Sequence, residues 1–394
     1  MPSDTSLQHQ HVEESNKVLV CHECNYQVEL PSLSHKQAAL CPRCRFQLTV
    51  FNQNAPQKII ALSLTALLFL CMSLPFEFLS FQAGGQAQSI DIPSSFLVLL
   101  ENNYGLLAIL QAIFMLILPA SILICLLYVL VPFSLGGRLP KAEPVVNLIF
   151  LLLPWAMAEI FLIGVLVSLI KIMSLADVGI GLSFYAYVLF TIFMTITLFY
   201  VDKHQLKTLL NQHHVEKHPT MNKQQSIQAT WALLTTSILL YIPANILPIM
   251  HTSTLGNTEP STILGGVILL WKMGSYPIAI IIFIASVFVP LAKLVILCWL
   301  NYSIQKASTE GQKERMFWYR VTEFIGRWSM IDVFVVAMLV SLIQLGNVMS
   351  IVPGHAALAF CGVVICTMFA AITFDSRLIW YAPNNKEGQT YNDR

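Results

Sequence analysis

Long apolar stretches separated by short polar segments make up most of the chain after residue 57. A helix that crosses a bilayer needs about 20 mostly apolar residues, and eight stretches reach that length. We predict spans over residues 58–81, 105–132, 144–172, 179–201, 228–250, 275–300, 327–346 and 352–374. The hydropathy pattern therefore predicts an all-α polytopic membrane protein.

The composition agrees with a membrane protein whose loops are short. Of the 394 residues, 56% are hydrophobic and 11% are charged, whereas soluble domains carry about 25% charged residues. The net charge of +1 gives no general attraction to nucleic acid. The sequence has no Walker A pattern and no recognisable nucleophile–base or metal–base arrangement, so we expect a protein that is not an enzyme.

The distribution of Lys and Arg predicts the orientation, because cytoplasmic loops carry an excess of these residues. Among the 22 Lys and Arg residues, Lys171 and Lys272 fall on one side of the predicted spans and Lys293 lies within a span. The others fall on the opposite side, together with both termini. Residues 1–20 also lack the apolar core of a signal peptide. We therefore expect both termini in the cytoplasm.

Two similar segments indicate an internal repeat. The stretch WAMAEIFLIGVLVSLIK at 155–171 matches WSMIDVFVVAMLVSLIQ at 328–344. The match pairs two tryptophans and two methionines: Trp155 with Trp328, and Met157 with Met330. Prolines within spans two and six also match, and so do segments 93–100 and 260–270, which begin with Pro and a hydroxyl residue and suit short capped helices. Units of four spans share one orientation, so we predict two parallel four-helix repeats.

The polar head carries two Cys-x-x-Cys pairs sixteen residues apart, at Cys21, Cys24, Cys41 and Cys44. This is close to zinc-ribbon spacing. Four thiolates complete a tetrahedral site without an open position, so we predict one structural zinc. Iron of the rubredoxin type and a redox dithiol are the alternatives. A reducing cytosol argues against structural disulfides among these four residues.

The linker between spans four and five is where symmetry would place a second ribbon, but it contains no cysteine. It does contain four histidines, at His204, His213, His214 and His218. These could suggest a metal, but a solvated linker is the favoured interpretation. We therefore divide the chain into a ribbon head, two membrane repeats, a degenerate ribbon and a tail: residues 1–57, 58–201 with 228–374, 202–227 and 375–394.

Three ionisable residues lie inside predicted spans, where charges are costly and mark functional sites by default. Glu159 and Asp332 occupy the same repeat position, and Lys293 lies at a similar depth near the cytoplasmic end of span six. We predict a Lys293–Asp332 ion pair. In the first repeat Ile122 replaces the lysine and leaves Glu159 without the matching partner. The alternative is that all three reach the headgroups or serve only structure.

An amphipathic stretch, KERMFWYRVTEFIGRW, occupies residues 313–328. Its apolar residues recur at helical spacing while its charges point elsewhere. This pattern predicts an interfacial helix on the inner leaflet. The alternative is the start of span seven, extended into solvent.

Four features of the chain point to one protein family: the head, the two repeats, the pattern W-x-M-x-[DE]-[IV]-F at Trp155 and Trp328, and IPANILPIM at 242–250. With these features the chain resembles the paraquat-inducible protein A family, the PqiA/LetA-like membrane proteins. The resemblance covers nearly the whole chain. It implies a bacterial inner-membrane protein paired with an MCE-domain protein, whose hydrophobic tunnel crosses the periplasm, and a role in moving phospholipid. The missing second set of four cysteines departs from the family, which puts any function that needs two ribbons in doubt.

Three functions remain open at this point. The leading hypothesis is a lipid-handling subunit in which a cavity between the repeats admits an acyl chain and passes it to the tunnel. The second is a proton-coupled transporter of a small solute that uses Glu159, Asp332 and Lys293 as a relay. The third is a redox or metal sensor that uses the ribbon. A lipid path requires an apolar cavity, whereas a solute site requires polar groups at mid-membrane.

Overall fold

A computed structural model describes the protein over residues 18–29, 37–52, 54–83, 86–102, 104–137, 142–172, 177–209, 223–254, 257–272, 274, 276–306, 311–342 and 349–380. These residues are mostly helical, with four small antiparallel sheets. Two of the sheets form the head, where each Cys-x-x-Cys pair follows the first strand of a hairpin. The head strands are β1 Val18–Val20, β2 Gln27–Glu29, β3 Ala38–Leu40 and β4 Gln47–Val50.

The helices divide into two halves along the chain. The first half contains α1 Ala55–Met72, α2 Ile92–Glu101, α3 Gly105–Ala112, α4 Leu118–Ser134, α5 Ala142–Leu152, α6 Ala158–Ile172, α7 Leu182–Tyr200 and α8 Lys203–Leu209. The second half contains α9 Lys223–Ile246, α10 Ile263–Lys272, α11 Tyr276–Phe283, α12 Val289–Gln305, α13 Gln312–Trp328, α14 Ile331–Leu342 and α15 His355–Thr373. A 3₁₀ turn, Ser376–Trp380, follows α15.

Seven helical segments among the described residues are long and apolar enough to cross a membrane. They are Ala55–Met72, Gly105–Ser134, Ala142–Leu169, Leu182–Tyr200, Lys223–Ile246, Ala279–Gln305 and His355–Thr373. The predicted span 327–346 coincides with α14, whose 12 described residues are shorter than this length. The next residues, 343–348, lie outside the described part. The eight-span count therefore stays a prediction.

The first predicted span, 58–81, extends too far. The helix α1 ends at Met72, because the residue before Pro75 is disfavoured in helical conformation. The chain then enters a three-stranded sheet that the hydropathy pattern did not reveal. The strands of this sheet are β5 Leu79–Ala83, β6 Gln86–Ile90 and β7 Asp177–Ile180. A similar sheet follows α9, with strands β8 Met250–Thr254, β9 Asn257–Ser261 and β10 Met349–Pro353. Since the head and β5 lie at opposite ends of α1, we call these the ribbon end and the sheet end.

The second and sixth spans each contain one π-helical turn, Ile113–Ile117 and Ile284–Phe288. Each turn ends just before a proline, Pro119 or Pro290. Proline has no N–H, and its ring clashes with the carbonyl four residues earlier. We attribute the wider turn to this clash, because it lets one helix continue past the ring.

The short helices at the sheet end were expected at 93–100 and 260–270, and they are α2 and α10. The expected Pro-hydroxyl pair takes part in the cap of α2 but not in that of α10. The backbone N–H of Asp91 donates to Ser94 Oγ over 3.1 Å at the start of α2. In α10, Thr262 Oγ1 accepts from the Gly265 N–H at 3.0 Å, and the expected cap Pro260-Ser261 lies in β9.

Each of the last spans in the two halves begins at a glycine that a larger residue could not replace. Gly181 precedes α7, and a Cβ there would overlap the carbonyl oxygen of Glu77. Gly354 precedes α15 and meets the carbonyl oxygen of Pro248 in the same way. The glycines allow the chain to leave each sheet in close contact with a residue that lies two positions before the sheet's central strand.

The predicted amphipathic helix is confirmed as α13, Gln312–Trp328. It is not the uninterrupted start of a seventh span, because Ser329 and Met330 form a turn before α14 begins at Ile331. The linker expected at 202–227 is helical where it is described, in α8 and the start of α9. His213, His214 and His218 lie outside the described residues.

Candidate metal centre and membrane cavity

The two cysteine hairpins of the head have the same backbone geometry. In the first, the Cys21 N–H donates to the Tyr26 carbonyl at 2.9 Å, and the Asn25 N–H donates to the Cys21 carbonyl at 2.9 Å. Asn25 has a left-handed φ of 56°. The second hairpin repeats the pattern with Cys41 N–H to the Phe46 carbonyl, Arg45 N–H to the Cys41 carbonyl, and a φ of 57° at Arg45. Both turns therefore direct two sulfurs to the same side.

The four cysteine sulfurs lie within 4.8 Å of one another. The Cys21–Cys44 and Cys24–Cys41 sulfurs are 3.6 and 3.5 Å apart, too far for disulfide bonds. Four sulfurs at about 2.3 Å from one ion would be about 3.8 Å apart in a tetrahedron. The predicted ligands are therefore brought together in an arrangement that could hold one metal ion.

Burial sets the electrostatics of this cluster. All four side chains are buried, with at most 7% exposed. Burial raises the pKa of Cys21 to about 12 and that of Cys24 far above its usual value, although backbone N–H groups oppose the shift. At Cys41 burial also acts upward, but the N–H groups of Cys44 and Arg43 outweigh it and lower the pKa. Cys21 and Cys24 would therefore stay protonated without a cation, and a metal ion would supply the charge that favours their thiolates.

The head sits on the second half of the membrane region. Arg320 of α13 donates to the Cys44 carbonyl at 3.0 Å, and its guanidinium lies 5.5 Å from the centre of the Phe46 ring. Arg43 lies 4.8 Å from the centre of the Trp380 ring and donates to the Trp380 carbonyl at 3.4 Å. The four cysteines share an apolar cluster with residues of α9, α12, α13, the C-cap of α15 and the final 3₁₀ turn: Ile227, Leu300, Ile304, Met316, Tyr319, Phe374, Ile379 and Trp380.

The same head is also tied to the first half. The Val50 N–H donates to the Asp202 carboxylate at 2.9 Å, and the Gln205 amide donates to the Asn52 carbonyl at 2.9 Å. Asp202 also accepts from the N–H groups of His204 and Gln205 and so caps α8. The head therefore contacts both halves at the ribbon end.

An apolar cavity lies in the second half, toward the sheet end. Its walls come from α6, β8, α10, the α11–α12 span and α14, so both halves contribute. The lining residues are Val167, Ile249, Met250, Thr262, Ile263, Gly266, Leu270, Ile282, Ser286, Val335, Val336 and Leu339. Sequence reasoning expected an apolar cavity between the repeats but could not name these residues.

The first half is filled at the equivalent positions of the repeat. When the in-span prolines of the two halves are aligned, Phe78 corresponds to Ile249, Gln111 to Ile282 and Met115 to Ser286, and the three earlier side chains are all buried. The Phe78 ring contacts the rings of Phe161 and Tyr187 at centre distances of 6.5 and 6.2 Å. Side chains in the first half therefore fill the region that corresponds to the cavity of the second half.

Lys293 lies about two helical turns beyond Ser286 toward the ribbon end. It is 2% exposed, and its amino group has no hydrogen-bond partner among the described residues. The group packs against Gly326 of α13, where an added Cβ would lie 3.0 Å from Nζ. The backbone of Asp332 is in α14, but its side chain lies outside the described part. The predicted Lys293–Asp332 pair therefore stays a prediction.

Glu159 is half-buried and is not an isolated charge. Its carboxylate interacts electrostatically with the phenol of Tyr187. Glu159 therefore has an interacting group even though Ile122 occupies the position that corresponds to Lys293. Ile122 itself is fully buried. The signature residue Trp155 packs between Phe114 and Phe369, with ring centres 6.0 and 5.2 Å away. Met157 and Met330 are fully buried, whereas Trp328 is 40% exposed.

These features define a multi-pass membrane protein with a four-cysteine head that could hold a metal ion. A family model described as "Paraquat-inducible protein A" matches residues 57–210 and again residues 227–383. The chain belongs to this family, which confirms the resemblance inferred from the sequence.

Named relatives agree with this assignment. Intermembrane transport protein PqiA of Escherichia coli is 38% identical and aligns with 92% of this chain and 95% of its own. A probable intermembrane transport protein of Haemophilus influenzae is 27% identical, covering 92% and 96% of the two chains. Lipophilic envelope-spanning tunnel protein A of Escherichia coli is also 27% identical, covering 92% and 91%. No solved structure matches the chain.

Proposed function

We propose that this protein is the inner-membrane subunit of an MCE-type intermembrane lipid transport system. It would load phospholipid into, or extract it from, the tunnel of a periplasmic MCE-domain partner. The names of the relatives support intermembrane transport. The observation that carries the choice of lipid is the cavity, because its lining is almost wholly apolar and suits part of an acyl chain better than a hydrated solute. Its volume is about 50 Å³, so it would have to widen to hold a whole chain.

We infer that the two halves are copies of one four-helix unit. The helices α2, α3 and α4 precede α10, α11 and α12 by one constant offset in the sequence, and each half has a π-helical turn before the in-span proline. Each half also has a three-stranded sheet whose first strand is central. The units are residues 58–201 and 228–374, with the head at 1–57, the degenerate ribbon at 202–227 and the tail at 375–394. The positive loops favour a cytoplasmic head and tail.

We also propose that Cys21, Cys24, Cys41 and Cys44 bind one structural zinc ion. A closed set of four thiolates supplies no free coordination position, so zinc would stabilise the head rather than carry out a reaction. In this assignment no residue is catalytic.

Site-specific photo-crosslinking tests the lipid proposal. Leu270 lines the cavity, whereas Leu99, its equivalent in the first repeat, is fully buried in the filled half. A diazirine analogue of leucine at position 270 should crosslink to phospholipid in cells, and the same analogue at position 99 should not. Analogues at the exposed sheet-end residues Leu97 and Ile268 should reach an MCE-type protein.

A second function is favoured by one observation, the buried amino group of Lys293. An ionisable group at this depth suits a proton-coupled transporter of a small solute, with Glu159 and Asp332 as further members of the relay. Two results together would replace the lipid proposal with this one. They are the absence of lipid crosslinks at both Leu270 and Leu99, and uptake of a small solute by proteoliposomes that contain this chain alone.

A further inference from the structure

The head has two attachments of different kinds. On one side, a short connection leads from β4 into α1, and Asp202 holds the Val50 N–H, so this side is fixed to the first half. On the other side, the cysteines pack against apolar residues of the second half, and the polar contacts there run from arginine side chains to backbone carbonyls and aromatic rings. One of them, from Arg320, ends on the carbonyl of Cys44, which is itself a proposed metal ligand.

We propose that the head is a metal-dependent clamp, in which the loaded cysteine site holds α13 over Lys293 through Arg320. This goes beyond the transport function, and it rests on the proposed metal site rather than on the identity of the substrate. Arg320 is in this sense a positioning residue.

The dependence on metal follows from the construction of the head. Within its described residues, β1–β2 and β3–β4 form two separate two-stranded sheets. An isolated two-stranded hairpin is at best marginally stable in water. The four cysteines, two from each hairpin, converge between the hairpins, where Arg43 also donates to the Cys24 carbonyl at 3.5 Å. An ion held by the four sulfurs would join the hairpins more strongly than this one contact. Loss of the ion should therefore disorder the Cys44 carbonyl that Arg320 binds.

The consequence for Lys293 follows from the packing of α13. The face of this helix that carries Met316, Tyr319 and Thr322 is buried, whereas Phe317 and Phe324 on the other face are more than 60% exposed. Gly326 lies on the same helix as Arg320, less than two turns away, and covers the Lys293 amino group. Release of Arg320 would loosen α13 and uncover Lys293 from the ribbon end.

Hydrogen–deuterium exchange of the full chain in lipid nanodiscs tests the clamp. The metal-loaded protein, the chelator-stripped protein and the stripped protein reloaded with zinc are compared, with bound metal measured in each. We expect stripping to speed exchange of the 312–328 peptide by about tenfold, as expected for loss of one charge-assisted hydrogen bond. Reloading should reverse the change, and the α2 peptide at the sheet end should not respond.

Two variants separate the clamp from general destabilisation. Arg320→Ala should give the fast 312–328 exchange even with metal bound, whereas Lys313→Ala, a charge change on the exposed part of the same helix, should not. Labelling with a small amine-reactive reagent should modify Lys293 in the stripped protein and in Arg320→Ala, but not in the loaded wild type.

Unchanged exchange of 312–328 after verified metal loss would overturn the proposal, and so would equal loosening of every span. The Leu270 crosslink to lipid is measured independently of metal. Failure of the clamp and failure of the lipid function are therefore distinguishable.

Discussion

The two halves of the membrane region have the same order of helices and strands but differ in what fills them. In the first half Phe78, Gln111 and Met115 occupy the interior, and Ile122 stands where the second half has Lys293. In the second half Ser286 and its neighbours leave an apolar cavity, and the buried amino group of Lys293 lies beyond it. The head is attached to the first half yet packs its cysteines against the second.

This difference suggests a division of labour between a packed scaffold and a half that retains open space and a fully buried ionisable side chain. Buried ionisable groups and cavities lower stability, so a chain keeps them where they serve function. Each prediction below tests this comparison and is paired with a matched control variant.

The largest effect is expected for the metal ligands. Cys24→Ser removes one of four buried thiolates, and we expect it to abolish most folded protein, because the head depends on the ion to join its hairpins. Cys71→Ser, at an exposed position in α1, should accumulate normally. Purified wild type should contain about one zinc per chain. Iron in its place, or intact thiols without metal, would contradict the zinc assignment.

The next largest effect is expected at Lys293. Lys293→Met should leave Asp332 uncompensated and cost roughly 3–5 kcal/mol, and Asp332→Asn should behave similarly, if the two form a buried pair. The double variant should cost less than either single variant. The free energy of unfolding in mixed micelles is the measurement, and additive losses would disprove the pairing. Ile122→Met, the matched apolar change in the first half, should have little effect.

A packing comparison tests whether the first half is the scaffold. Met115→Ala should cost roughly 2–5 kcal/mol, because Met115 is 1% exposed and its removal leaves a void in a filled core. Ser286→Ala, at the equivalent position on the cavity wall, removes only a hydroxyl and should cost much less. Equal destabilisation by the two changes, measured by thermal unfolding, would mean that the halves are packed alike.

Part of this organisation could be predicted from the sequence, and the reasons are local. Apolar runs located the seven long helical segments, and the Cys-x-x-Cys spacing identified residues that do converge. The sheets were missed because Leu79–Ala83 continues an apolar run, and its partner Asp177–Ile180 lies far away in the sequence. The packing of the head on the second half depends on contacts such as Arg43 with Trp380, which no local pattern reveals.

The smallest effect on stability, and the most specific on function, is expected for Ser286→Met. This change gives the second half the methionine that the first half has at the equivalent position, Met115, so the cavity should close. The fold should be retained, and the free energy of unfolding should fall by no more than about 1–3 kcal/mol. The lipid crosslink from position 270 should fall by about tenfold, equivalent to about 1.4 kcal/mol of binding. Ser286→Ala should leave the crosslink unchanged, since the cavity remains open. A full-strength crosslink in Ser286→Met would show that lipid at Leu270 does not occupy this cavity.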